Sequence, residues 1–175
     1  MLPATRQMPA TKFWCGSMRT NYLITRRFTT HSPYKMNVRP SAWSVLVGVL
    51  AILCAHILSV LQGWYTTYTW IDIPLHLAGG AWTALAFFYL QRQYVPLFSA
   101  LPFLFSIIMV VGVVMLVGVG WEWFEFGFDY IFVPEHAEWR AQLGLVDTMG
   151  DLLADVIGGA LVGLYFLLNR KQTRI

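Results

Sequence analysis

Hydrophobic residues occur along this chain in four long runs, which are separated by short stretches that contain polar residues and prolines. The runs cover about residues 42–62, 71–90, 100–124 and 148–168. At about 1.5 Å per residue, a helix of roughly 20 residues crosses the ~30 Å of hydrocarbon in a bilayer. The pattern therefore predicts four transmembrane helices, and with them an all-α polytopic membrane protein built as a small bundle.

The polar stretches predict the rest of the organisation. Residues 41–170 form the predicted four-helix transmembrane domain, and residues 171–175 form a short C-terminal tail. Residues 1–40 form a basic N-terminal tail that lacks acidic residues and is rich in Arg, Ser and Thr, a composition that resembles a mitochondrial presequence. Met36, just before the first run, offers the alternative of an over-extended start. We favour a disordered tail or such an over-extended start.

Composition supports a membrane protein and excludes other classes. Hydrophobic residues make up 57% of the chain and charged residues 12%, and the mean hydropathy is +0.56. A soluble domain usually contains about twice this charged fraction. The lipid bilayer is thus the predicted partner, and nucleic-acid binding is not predicted. Cys15 and Cys54 show no CxxC spacing, so a thiolate metal site is not predicted either.

The basic residues predict how the chain crosses the membrane. With four spans, the N-terminal tail, Arg92 and the C-terminal tail lie on one side, and Arg140 is the one of the twelve basic residues on the other side. Basic residues collect on the cytoplasmic side. We therefore expect both termini to be cytoplasmic in a bacterial plasma (inner) membrane. The alternative is a mitochondrial inner membrane with both termini in the matrix.

All nine acidic residues lie C-terminal to residue 71, and most of them lie at or near the ends of apolar runs. A carboxylate in hydrocarbon costs several kcal/mol unless it is paired, neutralised or bound to a cation. Asp72 and His76 share one helix face at a spacing of four residues, although Asp72 has the alternative role of a helix cap. Acidic residues on three spans, all near the predicted outer boundary, indicate one shared polar site.

Two further groups of acids support this interpretation. Glu122 and Glu125 are three residues apart, so a proton or a cation between them would relieve their repulsion, unless both simply reach water. Asp147, Asp151 and Asp155 form a stripe on the fourth run, where Asp147 has the alternative role of an N-cap. His56, a lone histidine on the first span, is interpreted as a satisfied core residue rather than a ligand.

The order of these motifs resembles a known family. Asp-xxx-His followed by glycine, then glutamates, then Asp-xxx-Asp followed by two glycines, is similar to VanZ-like membrane proteins and closer still to the YjdF-type inner-membrane proteins. The matching positions are Asp72, His76, Gly79 or Gly80, Glu122, Glu125, Asp147, Thr148, Asp151, Asp155 and Gly159. The resemblance covers about residues 42–168. It implies a small helical membrane protein, linked through VanZ to cell-envelope glycopeptide tolerance.

The leading hypothesis is a metal-dependent membrane enzyme that acts on a lipid-linked or cell-envelope substrate. Carboxylate and imidazole ligands suit Mg²⁺, Mn²⁺, Zn²⁺ or iron. Glu125 and Asp147 are the candidate acid and base. The predicted metal ligands are Asp72, His76, Glu122, Asp151 and Asp155.

Two other classes stay open at this point. One is a proton- or cation-coupled carrier, in which the same acids bind the coupling ion. Four spans are few for a carrier, so it would need a homodimer, for which the Gly159-xxx-Gly163 surface is a candidate contact. The other class is a non-catalytic membrane scaffold, in which the acids satisfy one another and water.

Overall fold

The computed structural model describes residues 34–68, 70–94, 100–137 and 139–172. Four helices in this part of the chain are long and apolar enough to cross a membrane, which confirms the predicted all-α bundle. A one-turn helix follows the first of them, and two short strands flank the bundle. The elements are β1 (Tyr34–Met36), α1 (Ala42–Leu61), α2 (Trp64–Thr67), α3 (Asp72–Tyr94), α4 (Phe103–Phe132), α5 (Leu145–Leu168) and β2 (Arg170–Gln172).

Local sequence explains how α1 begins and ends. Ser41 and Ser44 form a reciprocal capping box, in which each backbone N–H donates to the other side chain at 3.0 Å. After α1, Gly63 has a φ of 64°, a left-handed conformation that costs glycine little. This turn leads directly into α2 and places Tyr65 near the end of α1.

Helices α3 and α5 form the closest contact of the bundle because glycines remove the side chains between them. A Cβ atom at Gly80 would overlap the backbone carbonyl of Asp155, and one at Gly158 would overlap the carbonyl oxygen of Leu77. Small residues allow helices in a membrane to approach backbone to backbone. The contact brings the second turn of α3, which contains His76, against the third turn of α5, which contains Asp155.

Helix α4 packs on this pair through a stripe of buried residues at a spacing of three or four. The stripe consists of Ser106, Val110, Val114, Gly118, Glu122, Glu125 and Asp129. Its apolar half packs with Phe88 and Phe166, whose ring centroids are 4.9 Å apart. The apolar core therefore lies at one end of the bundle, and the acidic half of the stripe lies at the other end.

The C-terminal end of helix α4 lies about two turns beyond the predicted end, because the helix ends at Phe132 rather than near residue 124. The prediction assumed that Glu122 and Glu125 mark the membrane boundary. Both side chains are instead buried against the bundle, at 4% and 6% exposure. The helix continues past them and buries Asp129 as well.

The end of the bundle that contains the apolar core is closed by a short β-ladder. Tyr34 pairs with Gln172 and Met36 with Arg170 in antiparallel register. The side chain of Arg170 donates to the carbonyl of Leu101 and to the hydroxyl of Ser106, at 3.2 and 3.3 Å. The last residues of the predicted N-terminal tail thus pair with β2. Residues 1–33 lie outside the described part of the chain, so the predictions about that segment stay predictions.

The structure corrects the predicted role of the Gly159-xxx-Gly163 surface. A Cβ atom at Gly159 would lie 2.5 Å from Val114, and one at Gly163 would lie 3.2 Å from Ile107 and from Val110. Both glycines are buried and face α4 of the same chain. In the described bundle this surface packs against α4 and is not free for the predicted contact between two copies, so the homodimer stays a prediction.

Helix α1 packs along α3 and leaves a space toward α4. Trp82 of α3 fixes the contact: its indole N–H donates to the carbonyl of Val45 at 2.8 Å, and its ring lies against Gly48. Most side chains of α1 are exposed apolar residues. Such a surface fits a helix that faces lipid on one side and a cavity on the other.

Candidate functional site

His76 lies at the centre of a buried acidic cluster at one end of the bundle. Its Nδ1 is 3.3 Å from Oδ2 of Asp155. Its Nε2 is 3.7 Å from Oδ1 of Asp72 and 3.8 Å from Oε1 of Glu122. The first two turns of α3 contain Asp72 and His76, and a late turn of α4 contains Glu122. The third turn of α5 contains Asp155, so the cluster depends on the packing of three helices.

Two polar atoms of the cluster lack hydrogen bonds. Within the described residues, Nε2 of His76 and Oε1 of Glu122 are buried and have no hydrogen-bond partner. Their separation of 3.8 Å is too long for a hydrogen bond. If Nδ1–H donates to Asp155, Nε2 presents a lone pair to two carboxylates, and like charges repel. A cation at this position, either a metal ion or a proton on Nε2, would relieve this repulsion.

Among the described residues, two groups of side chains have donor atoms close enough to hold an ion. The first group is Asp72, His76 and Asp151, and the second is His76, Glu122 and Glu125; within each group the atoms lie within 4.8 Å of one another. Both groups share the imidazole. The structure thus brings together four of the five residues predicted as ligands and adds Glu125, which was predicted as an acid or base.

Asp155 has a different position from the other predicted ligands. Its carboxylate contacts Nδ1 of His76 and lies so close to Gly118 that a Cβ there would approach Oδ2 to 2.5 Å. The other side of the carboxylate lies near Gly79. Asp155 is 5% exposed and falls outside both groups of described residues that can hold an ion. Its geometry is that of a residue that orients the imidazole.

Asp147 lies at the edge of the cluster. It is in the first turn of α5, where Gly144 is the N-cap, so Asp147 is not the cap that the sequence offered as an alternative. Its carboxylate accepts a hydrogen bond from the backbone N–H of Leu143 at 3.3 Å. It also lines a small polar cavity together with Arg140.

Gln142, which the sequence analysis missed, holds Glu122 in place. Its side-chain amide donates to Oε2 of Glu122 at 2.7 Å. Its carbonyl oxygen accepts from the hydroxyl of Thr148 at 3.0 Å and from the N–H of Gly144 at 3.3 Å. These three bonds fix the orientation of the amide and leave Oε1 of Glu122 pointing toward His76.

Asp129 was also missed, and it anchors the segment that contains Gln142. It is 1% exposed and accepts from the backbone N–H groups of Ala141 and Gln142 at 3.2 and 2.8 Å. The guanidinium of Arg140 lies 3.7 Å away. The available signal was its spacing, because Asp129 follows Glu122 by seven residues and therefore shares its helix face.

A second polar contact, between His56 and Tyr65, lies next to the cluster. Nδ1 of His56 and the hydroxyl of Tyr65 are 2.7 Å apart. Burial raises the pKa of the Tyr65 phenol, and the negative charges of Asp72, Glu125 and Asp151 raise it further. The phenol therefore stays protonated and donates to His56. His56 is satisfied, as predicted, but it also lines the cavities beside the cluster.

Within the described part of the chain, three adjoining cavities reach this end of the bundle. One of about 200 Å³ lies between α1, α3 and α4, has mainly apolar walls and reaches His76 and Asp155. A larger one of about 540 Å³ reaches Glu125, Asp129 and Arg140. A third of about 250 Å³ is more polar and reaches Asp72 and Asp147. Tyr65 and Asp72 line all three cavities, so the acidic cluster lies where apolar and polar spaces meet.

Comparison with known proteins places the chain in a family but assigns it no activity. A family model described as "Predicted membrane protein (DUF2238)" matches residues 28–172. No curated protein and no solved structure gives a significant match. The resemblance to VanZ-like and YjdF-type proteins stays a prediction. Since the match covers most of the chain, including all four spanning helices and the acidic cluster, this protein belongs to the DUF2238 family of predicted membrane proteins.

Proposed function

We propose that the cluster around His76 binds a divalent metal ion, and that the protein is a metal-dependent membrane enzyme acting on a lipid-linked or cell-envelope substrate. One observation carries this proposal. Nε2 of His76 is buried, has no hydrogen-bond partner among the described residues and lies between the carboxylates of Asp72 and Glu122. Such an atom is costly to bury unless a cation satisfies it.

The distances support a metal ion. Metal–ligand bonds of about 2.0–2.6 Å place neighbouring donor atoms roughly 3–4 Å apart. Nε2 lies at 3.7 and 3.8 Å from the nearest oxygens of Asp72 and Glu122, which is within that range. In this proposal Nε2 of His76 binds the ion together with one pair of carboxylates, either Asp72 and Asp151 or Glu122 and Glu125. The donor atoms within each of these two groups lie within 4.8 Å of one another.

The partner of Nδ1 also supports the proposal. A metal-binding histidine commonly donates its second ring N–H to a carboxylate, which fixes the ring and its tautomer. Asp155 has this position relative to His76. We therefore assign Asp155 the orienting role and not that of a ligand. Because oxygen donors dominate the set, Mg²⁺, Mn²⁺, Zn²⁺ and Fe²⁺ are the candidate ions.

A bound ion would contribute Lewis acidity toward a carbonyl or phosphoryl oxygen. The protein's own residues would orient the substrate and move protons. Asp147 lines the polar cavity beside the cluster and stays outside the donor set, so it is the proposed general base. Glu125 accepts a hydrogen bond from the indole of Trp121 at 2.8 Å, and we propose that it acts as a ligand rather than as an acid.

A proton- or cation-coupled carrier is the alternative. It needs a polar path through the bundle to the other side of the membrane. Among the described residues, the end of the bundle opposite the cluster is filled by Phe88, Val110 and Phe166. This apolar core favours an enzyme with a site open to one side.

Metal analysis of the purified protein tests the proposal. We expect one equivalent of divalent metal per chain, removable by a chelator. Re-adding the preferred ion at about 100 times its Kd should stabilise the fold by about 2.7 kcal/mol. His76→Gln should abolish both effects. His136→Gln changes an exposed histidine outside the cluster and should retain both, so it is the matched control.

A different outcome of the same metal analysis would contradict the proposal. A protein that contains no stoichiometric metal and that melts at the same temperature with each of the four ions would overturn the metal site. A proton on Nε2 would then be the cation of the cluster, and the carrier or scaffold alternatives would gain support.

A further inference from the structure

We infer that the substrate of this site is a lipid with a phosphate-bearing head group, whose apolar chain lies in the cavity between α1 and α4. This inference rests on the proposed metal site and names its substrate class. Four observations support it: the apolar walls of that cavity, its position between two helices, the charge of Arg140 and the continuity of the cavities at the cluster.

The cavity between α1, α3 and α4 has mostly apolar walls. Val49 and Ile52 of α1, Trp82 of α3 and Val117 of α4 contribute to them. At one end the same cavity reaches Asp72, His76 and Asp155 of the cluster. A space that is apolar along its length and charged at its end fits a molecule with an apolar chain and a polar head.

The position of the cavity favours entry from the bilayer. Helix α1 packs along α3, and the cavity separates it from α4. The cavity is not fully enclosed. Its walls belong to helices long and apolar enough to span a membrane, and a lipid could therefore enter sideways without leaving the hydrocarbon phase.

The positive charge of Arg140 is the reason for proposing a negatively charged head group. It lines both the large cavity and the polar one, and its side chain is 30% exposed. Among the described residues its ion-pair partner is Asp129, reached through Nε at 3.7 Å. The two terminal nitrogens are therefore available to donate to phosphate oxygens, the bidentate geometry that arginine favours.

The acidic cluster makes this binding depend on the metal. Without a divalent ion, the carboxylates around His76 would repel a phosphate. With the ion bound, the metal and Arg140 present positive charge on two sides of the same space, and divalent ions bind readily to phosphate oxygens. Lipid binding should therefore require both the metal and Arg140, which separates this inference from simple hydrophobic capture.

Photocrosslinking in vesicles tests the inference. The protein is reconstituted in phosphatidylcholine vesicles that contain a trace of photoactivatable phosphatidic acid, or of diacylglycerol with the same chains. With the metal bound, we expect about tenfold more crosslinking to phosphatidic acid than to diacylglycerol. Chelation and Arg140→Gln should each remove most of this preference. Arg92→Gln, an exposed change at the far end of α3, should not.

Matched tryptophan variants test the chain cavity. Ile52→Trp fills the cavity from α1, whereas Leu50→Trp adds the same ring to the exposed face of that helix. Val117→Trp and Leu116→Trp form a second pair on α4, in case the first variant fails to fold. We expect the cavity variants to lose crosslinking and the surface variants to keep it. Metal content should stay unchanged in all four.

The outcomes distinguish this inference from the proposed function. Equal crosslinking of the two lipids by metal-loaded protein, or full crosslinking in both cavity variants, would overturn the lipid while leaving the metal site in place. Displacement of the lipid by an equal concentration of inorganic phosphate would point to a free phosphate ligand and would also overturn it. Absence of metal from the wild-type protein would instead overturn the proposed function.

Discussion

The two ring nitrogens of His76 face different partners, and this difference separates a candidate ligand from a residue that orients it. Nδ1 contacts Asp155, and Nε2 faces Asp72 and Glu122 at distances too long for hydrogen bonds. The sequence analysis treated Asp72 and Asp155 alike, as two predicted metal ligands. Only the direction of the imidazole distinguishes them, and that direction depends on how α3 packs against α5.

The first prediction at this scale concerns Asp155→Asn. The substitution keeps an acceptor for Nδ1–H of His76 but removes the charge that fixes the tautomer. We expect metal affinity to fall by about 10–100-fold, the usual effect of losing an orienting partner, with stoichiometry unchanged at saturating metal. Calorimetric titration measures both quantities. Abolished binding would show that Asp155 is itself a ligand, and unchanged affinity would show that it does not act on the imidazole.

The roles of Asp129 and Gln142 could not be inferred from the positions of the acidic residues alone. Asp129 is the most buried acid of the described residues, yet its oxygens are satisfied by backbone N–H groups of the segment after α4. Gln142, a neutral side chain in that segment, orients Glu122. We interpret both as positioning residues. Their role follows from a loop that folds back onto α4, which helical spacing does not predict.

At the scale of the helices, the site depends on the close approach of α3 and α5. His76 and Asp155 are 79 positions apart in sequence and meet because Gly80 and Gly158 let the two backbones touch. The sequence showed that Gly158 and Gly159 extend the aspartate stripe inward. It did not show that Gly158 faces α3 and that Gly159 faces α4, a division that places α5 against both helices.

A pair of alanine substitutions in α5 tests the role of the helix contact. A Cβ at Gly158 would overlap the carbonyl of Leu77, whereas one at Gly150 meets nothing within 4 Å. We expect Gly158→Ala to destabilise the protein by about 1–3 kcal/mol, the typical cost of overpacking. Gly150→Ala should be neutral or stabilising by about 0.5–1 kcal/mol, because alanine favours helix.

Thermal melting in detergent, with and without metal, measures both variants. Because the Gly158 contact sets the distance between His76 and Asp155, Gly158→Ala should also reduce the stabilisation by metal. Equal melting temperatures for the two variants would contradict the close contact of α3 and α5.

At the scale of the whole molecule, polar and apolar groups are separated along the bundle. The acidic cluster lies at the end formed by the starts of α3 and α5, and the apolar core lies at the end closed by the β-ladder. Arg92 ends α3 at the second end, whereas Arg140 lies beside the cluster. From the positive-inside rule we therefore expect the cluster to face the outside of the cell.

Cysteine labelling tests this orientation. In a background with Cys15→Ser and Cys54→Ser, we expect Glu135→Cys to react with a membrane-impermeant maleimide on intact cells. Arg92→Cys should react only after permeabilisation. Both positions are exposed, so accessibility reports the side of the membrane. Labelling of residue 92 on intact cells, without labelling of residue 135, would place the cluster on the cytoplasmic side.

The sequence by itself determined the number and type of the spanning elements and the residue types of the candidate site. Four apolar runs of sufficient length can satisfy their backbone only as helices in a bilayer, and the helices of the structure match these runs. Burying carboxylates is costly enough that acids on three spans already indicated one shared site. Both inferences rest on the local pattern of apolar residues and on the cost of moving a carboxylate into hydrocarbon. Both of these can be read from the sequence alone.

The tertiary structure decided which of these residues face one another and in what role. It extended α4 past Glu125 and turned the Gly159 surface inward against Val114. It also placed Asp155 on Nδ1 of His76 and left Nε2 between two carboxylates. These facts depend on distances between residues far apart in the chain. Helix periodicity fixes only the face on which a side chain lies, and the partner it meets there depends on how the helices pack.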